Sequence, residues 1–138
     1  MKLSTRSRYG LRAMIDIAMQ YNEPVLLKNI ASVEHISMKY LDNIMGSLKR
    51  AGLIRRVNEG YLLSRKPDEI TAYDIISVLE SSVKSVDCNM NSSDCFKSDA
   101  CAAMELWRDL NESIEETLKA QTLKQLASKQ RKKEEMYG

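Results

Sequence analysis

Five glycines and two prolines are all that 138 residues offer for breaking regular structure, and Pro24, Gly52, Gly60 and Pro67 stand at the joints between hydrophobic patterns. So few breakers exclude a β-rich fold and leave no glycine-rich loop for phosphates, so helices should dominate. Residues 5–21 place Tyr9, Ala13, Met14, Ile17, Ala18 and Tyr21 three and four apart, the spacing of a helix with a broad apolar face, and Ser4 stands at its N-cap. Asn22-Glu23-Pro24 breaks that pattern. Val25-Leu26 reads as a short extended piece before a second helix over 28–34, with Leu27, Ile30 and Ala31 inward. After His35-Ile36, Ser37 caps a third helix over 38–51. Its Leu41, Ile44, Met45 and Leu48 face in, its Lys39, Asp42, Asn43, Gly46, Ser47 and Arg50 face out, and Gly52 closes it.

Residues 53–57 and 61–64 read as two short strands joined by a three-residue loop, Asn58-Glu59-Gly60. Helix, helix, turn, helix, β-hairpin is the order of a winged helix-turn-helix, so the expected fold is mainly α with a small hairpin wing. Pro67 ends the hairpin, and Thr71 with Asp74 matches a capping box that opens a fourth helix over 71–82 on Ile75, Ile76 and Leu79. Residues 83–100 show no period, and a loop that long needs a function or a bound species to order it. From 102 to 121 the helical pattern resumes with Ala103, Leu106, Trp107, Leu110, Ile114, Thr117 and Leu118 on one side. Twenty helical residues span about 30 Å, too long for so small a domain to cover, so this stripe calls for a partner helix. Thr122 caps a last short helix with Leu123 and Leu126, and the end of the chain, with Arg131-Lys132-Lys133, reads as a frayed tail. The expected organisation is a DNA-binding head over 1–82, a cysteine-bearing sensor loop over 83–101, a dimerisation helix and short terminal helix over 102–130, and a flexible tail over 131–138.

The net charge of +2 conceals a division. Residues 1–66 hold twelve Lys/Arg against five Asp/Glu, a net of +7, and residues 67–138 hold nine against fourteen, a net of −5. A basic surface for a polyanion is thereby joined to an acidic region with other work. No apolar run approaches the roughly 18 residues of a membrane span, and nothing apolar follows the charged start to serve as a signal peptide, so a cytoplasmic protein is expected. One histidine and no carboxylate pair in an apolar setting leave no catalytic constellation, which disfavours an enzyme.

A three-turn helix with short polar and basic groups at its outer N-terminal end is able to enter a major groove. Ser37, Lys39, Tyr40, Asp42 and Asn43 occupy that end, with Arg50 on the same outward side. Arg6, Ser7, Arg8 and Tyr9 on the first helix and Arg55 and Arg56 on the wing supply donors for phosphates of double-stranded DNA. The plain alternatives are a merely solvated polar face, with Tyr9, Tyr21 and Tyr40 packing on the head. An adaptor that uses the acidic long helix, and not DNA, is a further alternative.

All three cysteines, Cys88, Cys95 and Cys101, fall in fourteen residues. Gaps of six and five residues are not those of structural zinc, which uses at least one close pair. Thiolates so spread suit an iron–sulfur cluster, [2Fe–2S] or [4Fe–4S], or a reversible disulfide that needs only two of them, or three unrelated thiols. For a fourth ligand, Asp87, Asp94, Asp99 and Glu105 offer oxygens, Met104 a poor thioether, and His35 an imidazole that would have to be brought in by the fold or a partner.

Met1-Lys2-Leu3-Ser4-Thr5-x2-Arg8-Tyr9-Gly10-Leu11-x-Ala13-Met14, Ile36-Ser37-x2-Tyr40-Leu41-x2-Ile44, Leu48-x2-Ala51-Gly52-Leu53-Ile54, Gly60-Tyr61-Leu62-Leu63 and Leu106-Trp107-x-Asp109-Leu110 resemble the Rrf-two family of bacterial transcription regulators over residues 1 to about 126. The resemblance implies a homodimeric winged-helix DNA binder whose long helix, through Leu106, Trp107, Leu110, Ile114 and Leu118, crosses its partner. It also implies that Cys88, Cys95 and Cys101 lie where sensing members hold their cluster, so that cluster status, redox state or nitric oxide would be the signal. Cysteine-metabolism repressors of the same fold do without a cluster, and a cluster-free thiol switch stays open beside the first reading. Three departures stand out. The family's Arg-Gly-x-x-Gly-Gly-Tyr wing is cut to Val57-Asn58-Glu59-Gly60-Tyr61, which loses the minor-groove arginine and puts Glu59 near phosphates. Met104 replaces the histidine that follows the third cysteine in cluster-sensing members, and the first cysteine gap is one residue longer. Some relatives draw a ligand from the partner's head, which keeps His35 and Glu34 as candidates.

Overall fold

The computed structural model describes residues 2–83 and 101–138. The chain runs α1 (Thr5–Met19), β1 (Val25–Leu26), α2 (Leu27–Glu34), α3 (Met38–Arg50), β2 (Ile54–Val57), β3 (Gly60–Leu63), a 3₁₀ turn (Pro67–Glu69), α4 (Ala72–Leu79), α5 (Ala102–Lys119) and α6 (Leu123–Tyr137). The elements expected from periodicity are all present, and the winged helix-turn-helix order is the one observed.

The helix ends follow from local chemistry. Ser4 Oγ accepts from the Ser7 N–H at 3.1 Å and starts α1. At the end of α3, Gly52 takes a left-handed φ of 80°, its N–H bonds the Lys49 carbonyl at 3.0 Å, and the Leu53 N–H bonds the Leu48 carbonyl at 3.1 Å. That paired closure satisfies two carbonyls the helix leaves open and turns the chain directly into β2.

The sheet is antiparallel, in the order β1-β3-β2, so the short extended piece foreseen at Val25-Leu26 is a third strand, with Val25 opposite Tyr61 and Leu26 opposite Gly60. Val57 pairs with Gly60, so the hairpin loop is Asn58-Glu59 alone and one residue shorter than the sequence predicts. Asn58, with φ 57°, supplies the left-handed turn expected of the glycine. Gly60 is needed for another reason, since a Cβ there would stand 2.9 Å from the Pro24 Cβ and 3.2 Å from the Val25 carbonyl oxygen.

The core forms around α1. Met14 and Ile17 meet Ile30, Leu41, Ile44, Met45, Leu48, Ile54, Ile70, Ile75 and Leu123, all of them buried. α4 ends at Leu79 and not at residue 82, because Glu80 leaves helical geometry and turns its carboxylate back to α1. There it accepts from the Ser4 N–H at 3.2 Å, the Ser4 hydroxyl at 2.6 Å and the Ser7 hydroxyl.

The C-terminal region differs most from expectation. The short helix and frayed tail are one fifteen-residue helix, α6. It is anchored by a bridge between Thr71 and Thr122, in which the Ala72 N–H bonds the Gln121 carbonyl and the Leu123 N–H bonds the Ile70 carbonyl, both at 2.8 Å. Both threonines head capping boxes, with Asp74 and Gln125. α6 then lies along α1 on Leu123 and Ala127, and the Arg131 guanidinium donates to the Met19 carbonyl. Of α5 only Met104 is buried; Leu106 and Leu110 are 58% and 42% exposed. No described helix is long and apolar enough to cross a membrane.

Partial burial of Glu80 acts to raise its pKa, but the hydrogen bonds from Ser4 and Ser7 outweigh it and hold the carboxyl below its ordinary 4.5. A lowered folded-state pKa means stability that is present above that value and lost as pH falls below it. Glu80→Gln is therefore expected to cost about 1 kcal/mol at pH 7 and to flatten the loss of stability on acidification, measured by urea unfolding across pH.

Candidate nucleic-acid interface

Three residues, His35 to Ser37, join α2 to α3. His35 adopts a left-handed φ of 55°, and the Ile36 N–H bonds the Ala31 carbonyl at 3.1 Å, so α2 closes as α3 does, with an exposed histidine in the glycine position. Ser37 then starts α3, its Oγ accepting from the Tyr40 N–H at 3.1 Å. With Leu41, Ile44, Met45 and Leu48 sealed inside, helical periodicity leaves Lys39, Asp42, Asn43, Lys49 and Arg50 exposed.

Arg6 reaches across from α1 to this face. One guanidinium nitrogen donates to Asn43 Oδ1 and the other to Ser47 Oγ, which also accepts from Arg50 at 3.2 Å. Arg6, Asn43, Ser47 and Arg50 are thus one connected group. Ser47, outward in the sequence reading but not singled out there, is its centre. With its oxygen engaged by Arg6, the Asn43 amide has its two N–H donors left for a ligand. Arg8 stays exposed, donating to Thr5 Oγ1 at 3.3 Å.

Two candidates pack on each other. The Tyr9 and Tyr40 rings meet edge to face, centroids 6.4 Å apart, with the Arg12 guanidinium 5.3 Å over Tyr9. They fasten α1 to α3. Strand alternation separates the two wing arginines. Arg56 pairs across the strands with Tyr61, lies 5.9 Å over its ring and donates to the Asn58 carbonyl at 3.3 Å, near the wing tip. Arg55 pairs with Leu62 on the opposite face and lines a cleft with Tyr21 and Lys66. Glu59 is exposed at the tip.

Behind the helix-turn-helix lies a carboxyl pair that sequence reasoning missed. Glu34, the last residue of α2, is buried and ion-paired to Arg12 of α1, Nε to Oε1 at 2.6 Å. Beside it Asp16 has a buried Oδ2 with no hydrogen-bond partner among the described residues. Burial first, then the hydrogen bond and charge of Glu34 and the charge of Glu134, raise Asp16 from 3.8 to about 8, against the opposing pull of Arg12. The only hint in the sequence is the Arg12/Asp16 spacing of one helical turn, which a solvated pair would share.

Of the sensor residues, Cys88, Cys95, Asp87, Asp94 and Asp99 lie outside the described residues. Cys101, half-buried at the N-cap of α5, makes no disulfide among the described residues. Met104, at 4% exposure, is packed inward. Glu105 is exposed, Glu34 is committed to Arg12, and His35 closes α2. Among the described residues no three of His, Cys, Asp or Glu form a group that would hold a metal ion. Cysteine thiolates are a donor type that suits iron, and of the three expected to supply them Cys101 is the one among the described residues.

The family model "Rrf2: Iron-dependent Transcriptional regulator" matches residues 3–129. The chain is similar to the HTH-type transcriptional regulator CymR of Bacillus subtilis (strain 168), 37% identical over 99% of this chain and 97% of that one. It is similar to the HTH-type transcriptional regulator IscR of Aliivibrio salmonicida (strain LFI1238), 36% identical over 91% of this chain and 77% of that one. The solved structure of CymR, the global cysteine regulator of B. subtilis, superposes with a TM-score of 0.79 at 38% identity, covering 93% of this chain and 97% of the other.

Asp16 has a folded-state pKa above its unfolded one, so its contribution is complete below about pH 4 and is lost as pH rises through about 8. Asp16→Asn should remove that slope and raise the melting temperature above pH 8 by a few degrees relative to the parent, read by calorimetry from pH 5 to 9.

Proposed function

Because the chain belongs to the Rrf2 family of transcriptional regulators, we propose that it is a cytoplasmic, homodimeric repressor that reads double-stranded DNA with α3 and senses iron–sulfur status, redox state or nitric oxide through Cys88, Cys95 and Cys101. The observation that carries the DNA reading is the outer face of α3, where Arg6, Asn43, Ser47 and Arg50 form one connected group beside Lys39 and Asp42. Arg6 and Arg50 take phosphates, joined by Arg8, the Ser37 hydroxyl and Arg56 of the wing. Lys39, Asp42 and the Asn43 amide face base edges. Tyr9 and Tyr40 position α3 on α1. Two copies of α3 must stand about 34 Å apart to enter successive major grooves. The α5 stripe, with Leu106 and Leu110 exposed and Trp107, Ile114 and Leu118 half-buried, supports pairing with a second copy.

A bound cluster would supply electron-transfer and nitric-oxide-reactive iron chemistry. The chain's part is mechanical. A ligand at Cys101 would sit at the N-terminus of α5, which buries Met104 one turn on and packs against α4. The end of α4 holds the start of α1 through Glu80, and α1 holds α3 through Arg6. A change in ligation of the cysteine segment thus has a packed route to the spacing of the two reader helices, provided the two head arrangements bind its ligand with different affinity.

The second reading, a cluster-free thiol switch on the same DNA reader, draws support from the 37% identity to CymR. Anaerobic purification with visible absorption and iron and sulfide assay separates the two. The cluster reading expects colour, with iron and sulfide in equal amount, and loss of colour in Cys88→Ala, Cys95→Ala and Cys101→Ala. A colourless, iron-free protein whose DNA binding follows thiol oxidation would establish the second reading in its place.

For the reader itself, Arg6→Ala and Arg50→Ala should each weaken binding to a selected duplex and lower the slope of log affinity against log salt by about 1. Arg55→Ala should change neither. Anisotropy titrations across a salt series give both quantities, and an unaltered slope in Arg6→Ala and Arg50→Ala would remove the assigned phosphate contacts.

A further inference from the structure

The basic residues of α6 take no part in the DNA face or in the exposed stripe of α5. They return a positive surface to the head, for α6 carries Lys124, Lys129, Arg131, Lys132 and Lys133 against Glu134 and Glu135. Where α6 crosses the C-terminal end of α1 and the 3₁₀ turn, the three elements enclose a cleft of about 350 Å³. Its floor is the methyl groups of Ala18 and Ala127, both buried. Pro67 and Tyr21, the latter 43% exposed, contribute ring surfaces.

The polar lining is strongly one-signed. Lys66, Lys124 and Arg131 converge on the cleft, and Asp68 is its single carboxylate. Lys66 and Lys124 make no ion pair among the described residues. Arg131 is oriented by its bond to the Met19 carbonyl at the end of α1, which leaves most of its five N–H donors unspent. A neighbouring cleft of about 330 Å³ shares Tyr21 and Lys66 and adds Arg55 and Arg65 against Glu69, which extends the positive field. Three cations lining one cleft with a single carboxylate repel one another, and the deficit is two negative charges. None of the lining comes from α3. The volume is that of a small-molecule site, apolar below and polar at the rim.

We propose that this cleft binds a small organic dianion, a phosphate monoester or a dicarboxylate. Its ring or short apolar body lies on Ala18, Ala127 and Pro67 beside Tyr21, and its charges are held by Lys66, Lys124 and Arg131. Such a ligand bridges α6 to α1 and to the 3₁₀ turn, so its binding is coupled to the docking of the C-terminal helix on the head.

The test uses the full chain at fixed ionic strength, with amide shifts followed by NMR during titration with phenyl phosphate, phthalate and inorganic phosphate. Saturable shifts at Ala18, Tyr21 and Lys124 to Ala127 are expected, with phenyl phosphate or phthalate half-saturating at a concentration at least threefold below inorganic phosphate. The tighter of the two organic probes identifies the charged group preferred. Lys124→Glu should raise the half-saturating concentration at least tenfold. It places an acid in the first turn of α6, where the helix end favours one, so the fold is retained and unchanged shifts elsewhere verify this. Lys129→Glu makes the same charge change on α6 at a residue that does not line the cleft, and should leave binding as it was. No saturation, shifts centred on α3, equal response to inorganic phosphate, or equal losses in both variants would each overturn the proposal.

Discussion

The first two turns of α1 fix the head, and everything the molecule does with α3 depends on them. Ser4 and Ser7 turn their hydroxyls to the Glu80 carboxylate at the end of α4, while Arg6, between them in sequence, sends its guanidinium to Asn43 and Ser47 of α3. One turn further on, Gly10 allows α4 to come so near that a Cβ there would clash with Leu79 Cδ1. Bonds to a charged acceptor are stronger than neutral ones, and this acceptor takes three. The reader helix therefore has little freedom relative to α4 unless Glu80 is released.

α6 does the same work at the other end of α1. Its position is set by two backbone hydrogen bonds between residues about fifty apart, and the bridge places two threonine-headed capping boxes side by side. The helix is thin in buried apolar groups, with only Leu123 and Ala127 fully inward. Its stability comes from the cap, from those two contacts and from Arg131 on the Met19 carbonyl. α1 is thus held at its first turn by α4 and α3 and at its last turn by α6.

How much of this was legible in the sequence depended on how local its cause was. Ser4, Ser37, Thr71 and Thr122 were readable as caps because a cap is decided within four residues, and the inward residues of α1 and α3 because helical period alone selects them. The length of α6 was not, since its pattern past Ala127 is polar and its anchor lies at Ile70. Nor was the fate of Arg55 and Arg56, which adjacency in sequence makes alike and strand alternation sends to opposite faces. Tyr9 and Tyr40 carry hydroxyls suited to phosphate, and only the fold shows their rings on each other. The charge division at residue 66 was real in sequence but not in space. Residues 67–122 carry a net of −8 and α6 a net of +3, so the basic end of the chain rejoins the basic head.

That redistribution bears on how a signal in the cysteine segment would reach DNA. The acidic part of the chain is confined to residues 67–122, so apposition of α5 to a phosphate backbone is opposed by charge, and α5 is left to other contacts. Of its apolar residues Met104, one turn after Cys101, is the one fully buried among the described residues, with Trp107, Ile114 and Leu118 half-buried. The same helix start therefore joins the third cysteine to α4 on one side and begins the uncovered stripe of Leu106 and Leu110 on the other. A second copy seated on that stripe would set the distance between two heads, and a ligand at Cys101 would act at the point from which both the head and the stripe take their bearing. Such an arrangement needs no large motion. In the proposed dimer, a rotation of α5 at its first turn, carried through α4 to Glu80 and α1, would change the spacing of the two α3 helices relative to successive grooves.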